Sequence, residues 1–392
     1  MKIKINKKMI VVVMMLVTLL SGCWDLRDSE RMLYLYGIGV DFKDGQYEIY
    51  AQIINFANIA KSESPPSPDI VQSEVGHATG NTINEAFYKL YSSMDEEMYW
   101  GHLTYFIFSE EALKEGRMNY IINWFVRFHN TRYQTWMYST KESVKEVLLT
   151  TPILNKALSL SKLSDPTNSY KQSSLIEPIT FRELIIRMDE PGHEVNIPLV
   201  SFSQNWETEK ESYKATAIDG VSIVSPDSFR GTISNDKING LQWMTDKTIR
   251  SGFTVESESN ESTNRKKISI ILEKIKVKVT PVVKNRNVTF SIDVKANATI
   301  SGFQGHITED EVRRAVQDKV EKDIRETYQE GININADVYR LSEYLYRKDV
   351  NSWKTLQKDG KVELTEDSIR NINVTITKLN SGRKTFKETI RR

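Results

Sequence analysis

The 392-residue sequence contains one cysteine, Cys23. A single cysteine cannot form an intrachain disulfide, a CxxC redox pair or a cysteine-rich zinc site, so these three kinds of site are excluded. The formal net charge is only +1, with 53 Lys and Arg against 52 Asp and Glu. Proteins that coat nucleic acid depend on clustered positive charge, so the near-neutral balance predicts no nucleic-acid partner.

The sequence also lacks the spacings that mark common catalytic and metal sites. It contains no G-x-S-x-G nucleophile motif and no Walker A sequence. None of the histidines forms an HxH or HExxH pair: His77, His102, His129, His193 and His306. Gly37-Ile38-Gly39 begins as a dinucleotide fingerprint does, but without the third glycine or a following helix it favours a bulge or a close approach of strands. We therefore expect no cofactor, no metal ion and no enzymatic activity.

Long apolar runs are scarce, and the one that stands out is Met9–Leu20, which follows a lysine-rich start. This pattern is typical of a secretory signal, and the run is shorter than the roughly 20 apolar residues of a membrane-spanning helix. Leu20-Ser21-Gly22-Cys23 resembles the lipobox of bacterial lipoproteins, in which the cysteine thiolate is the nucleophile that becomes acylated. We predict a lipoprotein signal peptide over 1–22 and lipidation, such as palmitate, at Cys23. The alternative is an uncleaved signal anchor with an incidental cysteine.

Residues 23–203, the predicted N-terminal domain, alternate between strand-like and helix-like patterns. Asp44-Gly45 separates two alternating apolar runs and predicts a hairpin over 33–55. The further predicted elements are an extended piece at 70–75, a helix from 83 to 94, a strand at 103–108, a helix at 110–128, a strand at 133–138, short helices at 141–149, 152–163 and 180–188, and a strand at 195–202. This order predicts an α/β layer with parallel pairing.

Residues 204–392, the predicted C-terminal region, begin at the polar stretch 203–212, which we interpret as a domain seam. A second polar stretch, 256–267, is either a hairpin tip or a linker, and it offers a division near 262 into a middle and a C-terminal domain. The remaining predicted elements are strands at 213–224, 230–234, 268–283, 288–300 and 372–379, and helices near 240–249, from 309 to 331 behind a Thr308/Glu311 capping box, and at 336–348. Together they predict an α+β module, a C-terminal antiparallel sheet with helices on one face.

Aromatic residues are concentrated between Tyr88 and Trp136. Core packing accounts for most of them, since aromatic side chains dominate core burial. Partner contacts also concentrate their energy in aromatic and Arg anchors, and Trp100, Tyr133 and Trp353 are our predicted partner-binding residues. The alternative is that all three lie in the core.

Three sets of residues carry a family resemblance: Gly22-Cys23-Trp24-Asp25, the GIGVD segment at 37–41, and Tyr339-Arg340 with Asn351-Ser352-Trp353. With them the chain resembles the Ger(x)C family, the C-subunit lipoproteins of bacterial spore germinant receptors. The resemblance implies a three-domain architecture of mixed α/β and α+β class. It also implies a lipid anchor in the inner spore membrane, an ectodomain on its outer face, and action with a polytopic A subunit and a transporter-like B subunit to trigger germination.

In such receptors nutrient binding is generally placed on the B subunit, so the resemblance implies no direct nutrient binding here, and Cys23 alone carries over as a functional residue. The competing interpretation is a lipid-anchored solute-binding protein that delivers a small molecule to a transporter. A solute-binding protein of this size normally has two repeated parallel α/β lobes, whereas the C-terminal third predicts an α+β module without an N-terminal counterpart. An exported enzyme is the third interpretation.

Overall fold

The structure is a computed structural model that describes residues 7–8, 31–54, 71–127, 132–207, 212–257, 266–304 and 307–381. The predicted signal peptide and Cys23 therefore lie outside the described residues, apart from positions 7 and 8. The strands are β1 Met32–Lys43, β2 Gln46–Ile54, β3 Ser73–Gly80, β4 Glu97–Tyr99, β5 Tyr105–Ser109, β6 Trp136–Thr140, β7 Val195–Glu207, β8 Ser212–Ser225, β9 Ser228–Ser234, β10 Arg250–Ser257, β11 Lys266–Lys284, β12 Asn287–Phe303, β13 Gln357–Lys358, β14 Lys361–Val362 and β15 Ile369–Asn380.

The α-helices are α1 Ile83–Tyr91, α2 Glu110–Leu113, α3 Arg117–Val126, α4 Val144–Leu149, α5 Pro166–Gln172, α6 Phe181–Asp189, α7 Glu309–Asn333, α8 Leu341–Lys348 and α9 Val350–Leu356. Short 3-10 turns occupy Trp100–His102, Ile153–Asn155, Leu158–Leu160, Asn235–Trp243 and Glu366–Ser368. The mixed α/β and α+β class predicted from the sequence is confirmed.

A nine-stranded sheet organises the first half, in the order β3-β2-β1-β5-β6-β7-β8-β9 with β4 also paired to β1. Its centre is parallel, as the alternation of helix and strand predicts, since β1, β5, β6 and β7 run in one direction. The β1–β2 hairpin is confirmed, and its turn residues Asp44 and Gly45 have φ values of 52° and 78°. One face packs against α1, α2, α3 and α6, and the other packs against α4 and the segment around Leu158 and Leu163.

The Gly37-Ile38-Gly39 segment serves this packing. The register of β1 shifts between Leu35 and Gly37. A Cβ on Gly39 would lie only 2.1 Å from Cγ1 of Val144 at the start of α4. The glycine therefore allows α4 to approach the sheet closely. The register shift agrees with the predicted bulge, whereas the close approach at Gly39 is made by a helix and not by a strand.

Three helices differ from their predictions. The one expected near 240–249 is a 3-10 turn at Asn235–Trp243. The helix expected over 110–128 is divided into α2 and α3, because Glu115 and Gly116 adopt left-handed φ values of 53° and 70° that end the first and cap the second. The helix expected over 152–163 is instead two 3-10 turns. Leu154 and Asn155 there have φ values of 60° and 51°, which no α-helix accommodates.

The C-terminal sheet has the order β10-β11-β12-β15. Strands β10, β11 and β12 pair antiparallel, but β15 pairs parallel to β12, so the expectation of a purely antiparallel sheet is wrong for the closing strand. The chain leaves β12 and crosses the sheet through α7, α8 and α9 before β15, and such a crossover returns the strand in the same direction. The capping box of Thr308 and Glu311 is present at the start of α7, whose apolar stripe packs on one face of the sheet.

The polar stretches mark strand ends in these sheets. Strands β7 and β8 extend into 203–212 and pair there, with Glu207 opposite Ser212, so the nine-stranded sheet continues across the predicted seam. Gln204, Asn205 and Glu207 are polar because they lie at the exposed end of this hairpin. Strands β10 and β11 likewise pair across 256–267, which favours a hairpin there over a linker. Val221, Ile223 and Ile233 of β8 and β9 then join the core of the C-terminal sheet, so the two sheets share one hydrophobic cluster.

Candidate interaction surface

The parallel strands of the large sheet begin at one edge, and the segments before them converge there. Tyr34 lies at the start of β1, Tyr99 and His102 lie just before β5, and Arg132 and Tyr133 lie before β6. We call these five residues the entry surface, because β1 is the first strand after Cys23 among the described residues. Parallel register places their segments side by side, as Met32 pairs with Glu97 and Tyr105 pairs with Trp136.

Ring contacts and one hydrogen bond hold the entry surface together. The ring centroids of Tyr34 and Tyr99 are 5.7 Å apart, and the His102 ring lies 5.4 Å from Tyr34 and 5.7 Å from Tyr99. Arg132 donates from Nη1 to the Gly101 carbonyl at 3.0 Å, which joins the segment before β6 to the one before β5. The result is a patch of aromatic rings beside a guanidinium, the residue types that protein interfaces favour.

The surroundings of His102 disfavour the charged form of its imidazole. Burial lowers the pKa of its imidazole below the usual 6.5, and the neighbouring positive charge of Arg132 lowers it further. Arg132 is exposed and is therefore the cation that this patch presents to a partner. The surface consequently combines one positive charge with uncharged aromatic rings.

The three predicted partner residues lie in different environments. Tyr133 is 49% exposed, and its ring stacks on the buried Phe181 with centroids 5.8 Å apart. Trp100 is only 5% exposed and packs against Phe87 and Trp124, so it lacks the exposure that its prediction as a contact residue required. It lies in the 3-10 turn Trp100–His102, next to Tyr99 of the entry surface in the chain, and its ring packs into the core of the large sheet.

Trp353 lies in α9, partly buried, with its ring edge-on to Tyr346 at 5.1 Å. It packs against the cluster of the C-terminal sheet, whereas Trp100 belongs to the core of the large sheet. The structure therefore brings Trp100 and Tyr133 to one edge and places Trp353 with a different core. Sequence reasoning missed four members of the surface, Tyr34, Tyr99, His102 and Arg132. Their shared position just before predicted parallel strands is the signal that could have found them.

A cleft of about 440 Å³ separates the large sheet from the C-terminal sheet. Helix α6 lines one wall and the start of α8 lines the other. Arg347 reaches across to Glu190 at 3.1 Å, and Arg340 approaches the same carboxylate at 3.4 Å. All eight charged residues that line the cleft have ion-pair partners: Glu177, Glu183, Arg187, Glu190, Lys247, Arg340, Glu343 and Arg347.

Glu194 is the buried centre of the contact between the sheets. Its carboxylate is 2% exposed and accepts from Arg230 at 2.9 Å, from Lys361 at 3.1 Å and from the backbone N–H of Asp337. Burial raises the pKa of Asp337, and the nearby Glu194 charge acts in the same direction. The Arg340 guanidinium donates to the carbonyl oxygens of Glu194 and Arg187 at 2.6 and 3.0 Å. This network fixes the two sheets relative to each other.

No group of three or more His, Cys, Asp or Glu residues is arranged to hold a metal ion in the part of the chain that the structure describes. Among the helices formed by the described residues, none combines the length and apolar character needed to cross a bilayer.

Comparison with known families gives matches over most of the chain. Residues 25–202 match the family model described as "Spore germination protein N-terminal domain", and residues 219–382 match "Spore germination B3/ GerAC like, C-terminal". Spore germination protein B3 of Bacillus subtilis (strain 168) is 24% identical over 297 residues, 74% of this chain and 72% of that protein. Spore germination protein KC of the same strain is 21% identical over 384 residues, 90% of each chain.

A solved structure shows the same fold. The crystal structure of the GerBC protein aligns with a TM-score of 0.54 at 16% identity, covering 88% of this chain and 96% of that one. The two matched regions define a two-part spore germination protein. More particularly, the chain belongs to the Ger(x)C family, the C subunits of germinant receptors, and this membership gives it a role in spore germination.

The C-terminal residues on which the resemblance rests make structural contacts in this chain. Tyr339 is buried and donates its hydroxyl to the Ile324 carbonyl of α7 at 2.9 Å. Arg340 donates to the carbonyl oxygens of Arg187 and Glu194. Asp349 caps the helix that carries Asn351, Ser352 and Trp353 by accepting from the Ser352 N–H at 3.0 Å. These motif residues therefore support the fold of the C-terminal region and its contact with the large sheet.

Proposed function

We propose that this chain is the lipid-anchored, non-enzymatic C subunit of a nutrient germinant receptor. Cys23 carries the lipid, the inner spore membrane holds the anchor, and the ectodomain lies on its outer face. The protein acts by contact with the membrane-bound A and B subunits. Family membership over both matched regions supports the receptor role. The lipobox pattern supports the anchor.

The observation that carries the contact mechanism is the position of the entry surface at the start of β1. The eight peptide links from Cys23 to Arg31 span at most about 29 Å when fully extended. An anchored Cys23 thus keeps the aromatic rings and Arg132 close to the bilayer in which the partner subunits reside. Aromatic and Arg side chains are the residue types that anchor protein interfaces.

Replacement of Arg132 and Tyr133 by Ala tests this contact. Both side chains are exposed, so each variant should keep its melting temperature within a few degrees while germination and co-purification with the A and B subunits fall. Tyr88→Ala is the matched control, since Tyr88 is 71% exposed on α1 outside the entry surface. Unchanged co-purification in both Arg132 and Tyr133 variants would contradict the proposed contact.

Cys23→Ala tests the anchor. The variant should lose the lipid and leave the membrane fraction, and germination should decrease, because a deleted thiol cannot be acylated. Mass spectrometry of the membrane fraction gives the direct measurement. The anchor is contradicted if the mature wild-type protein retains residues 1–22 or carries no lipid.

The solute-binding alternative is tested by a thermal-shift screen with amino acids, nucleosides and sugars. A ligand at 100 times its Kd stabilises the folded state by about 2.7 kcal/mol, which a melting curve resolves readily. The charges that line the ligand-sized cleft already pair with one another, so we expect no shift. A reproducible shift with one solute would favour the alternative.

A further inference from the structure

A second surface on the large sheet is apolar and open. A groove of about 890 Å³ lies between the turns at 153–160 and the β7–β8 hairpin. Four large apolar side chains on it are exposed: Ile153 by 36%, Leu154 by 83%, Leu160 by 66% and Trp206 by 51%. Soluble proteins seldom expose such side chains together unless they bind something apolar.

The turns that carry these side chains are held firmly to the sheet. Leu158 and Leu163 are 2% and 4% exposed and pack into the core beneath, and the Tyr138 hydroxyl donates to the Leu163 carbonyl at 3.0 Å. Leu154 has a left-handed φ of 60°, and the next residue, Asn155, is fixed by hydrogen bonds from Gln72 Nε2 to its carbonyl at 2.9 Å and its side-chain oxygen at 2.8 Å. Leu154 therefore projects into solvent from an anchored backbone.

The charge around the groove is positive. Lys156, Lys171 and Arg250 line it and are exposed, while Asp165 is the single acidic residue among its described lining residues. The cleft between the sheets differs, since four acidic and four basic residues balance there. Apolar side chains, a tryptophan and a ring of cations form the combination that binds the interface of an anionic bilayer.

The groove also lies near the predicted anchor. Gln72, which binds Asn155, precedes Ser73, and Ser73 pairs with Ile54, which pairs in turn with Tyr34 at the start of β1. Two strand spacings, about 10 Å, separate Ser73 from Tyr34. The extended link from Cys23, about 29 Å at most, therefore reaches far enough for the groove and the lipid to meet one membrane.

We propose that the rim of this groove docks on the anionic bilayer to which Cys23 is anchored. Leu154 and Leu160 enter the acyl boundary, Trp206 lies at the headgroup level, and Lys156, Lys171 and Arg250 contact lipid phosphates. A lipid on Cys23 tethers the chain without setting the orientation of the ectodomain, and a second membrane contact of this kind fixes it. This inference rests on the anchor of the proposed function.

The test places a fluorophore at the rim of the full-length, acylated protein in vesicles of phosphatidylglycerol and phosphatidylcholine. Leu154→Cys carries an environment-sensitive label, because its exposure allows substitution without loss of packing and the thiol of Cys23 is occupied by lipid. Val283→Cys, 37% exposed at the far end of β11 in the C-terminal sheet, is the matched control. We expect blue-shifted emission and several-fold stronger quenching by spin-labelled lipid at 154 than at 283. The double substitution Lys156→Glu and Lys171→Glu should remove most of that difference.

Each other result overturns the docking surface. Equal quenching at 154 and 283 places the rim in water. A blue-shifted label that spin-labelled lipid does not quench shows that protein, either residues 55–70 of this chain or another polypeptide, covers the groove. Mass spectrometry of Cys23 on the same sample separates the two proposals. Acylated protein with an unquenched label overturns the docking surface alone, whereas unmodified Cys23 overturns the anchor together with the inference built on it.

Discussion

Two polar regions of the molecule differ in burial. One is the contact between the two sheets, where a carboxylate meets cations, and the other is the entry surface, where a cation lies beside aromatic rings. Between the sheets, Glu194 is 2% exposed and its charge is matched by Arg230 and Lys361. At the entry surface, Arg132 and Tyr133 are exposed, whereas Trp100 beside this surface and Phe181, on which the Tyr133 ring stacks, are buried. The difference assigns the inner groups to stability and the outer groups to recognition. Substitutions of the two sets should therefore separate loss of folding from loss of germination.

The largest effect is expected for Trp100→Ala. The side chain is 5% exposed and contacts Phe87 and Trp124, with ring centroids 5.2 and 6.0 Å away. Removing a buried aromatic ring of this size costs about 3–5 kcal/mol of unfolding free energy. Urea denaturation measures it, with Tyr88→Ala as the exposed control, which should stay within about 0.5 kcal/mol of wild type. A stable Trp100→Ala variant with defective germination would instead place Trp100 in the recognition set.

Glu194→Gln should follow, with a loss of about 3 kcal/mol, because a neutral amide leaves the charges of Arg230 and Lys361 without their buried partner. The same measurement applies. Glu146→Gln is the control, since Glu146 pairs with Lys214 at 3.4 Å where both side chains are 59% exposed, and exposed pairs contribute about 0–1 kcal/mol. If both glutamate variants unfold at the same urea concentration, the network does not hold the two sheets together.

Local patterns predicted the elements of both regions better than the contacts between them. The hairpin at Asp44-Gly45, the capping box of Thr308 and the stripe of α7 depend on neighbours within a few residues, and all three are present. The direction of β15 could not be predicted, because alternating apolar residues look the same in a parallel and an antiparallel strand. The break at Glu115-Gly116 requires left-handed backbone, which periodicity does not report.

The candidate site was predictable only in part, for a related reason. Tyr133 was identified as an exposed aromatic residue, but Trp100 follows a three-residue strand and precedes a turn, where no periodicity distinguishes buried from exposed positions. Arg340 meets Arg187 and Glu194 from more than 140 positions away in the chain. Such contacts depend on how the sheets pack, so they become visible only in the assembled fold.

A smaller stability effect is expected for Tyr133→Ala, about 1 kcal/mol, because only the stacking on Phe181 is lost. Tyr133→Phe keeps that stacking and should unfold at the same urea concentration as the wild type. If the entry surface recognises a partner through the ring, germination should fall with Ala and persist with Phe. If germination decreases in both variants only in proportion to their loss of unfolding free energy, the exposed residues have no role in recognition apart from stability.

The smallest effect concerns the pH dependence of stability through His102. Its pKa is lowered in the folded protein, by burial first and then by Arg132, whereas the unfolded chain titrates near the usual 6.5. As the pH falls below 6.5, the unfolded state binds more protons than the folded state. The free energy of unfolding is therefore highest above the unfolded pKa and decreases as the pH falls toward the lowered pKa of the folded state. The ring is partly exposed, so solvent screening keeps the loss small. The melting temperature, measured between about pH 7.5 and 5.5, should decrease more steeply with falling pH for wild type than for His102→Gln. Arg132→Ala should reduce the slope partway, because one of the two causes disappears while the burial of the ring remains. Identical slopes for wild type and His102→Gln would mean that the imidazole is as hydrated in the fold as in the unfolded chain, and the entry surface would then lack the packed aromatic layer on which its proposed contact depends.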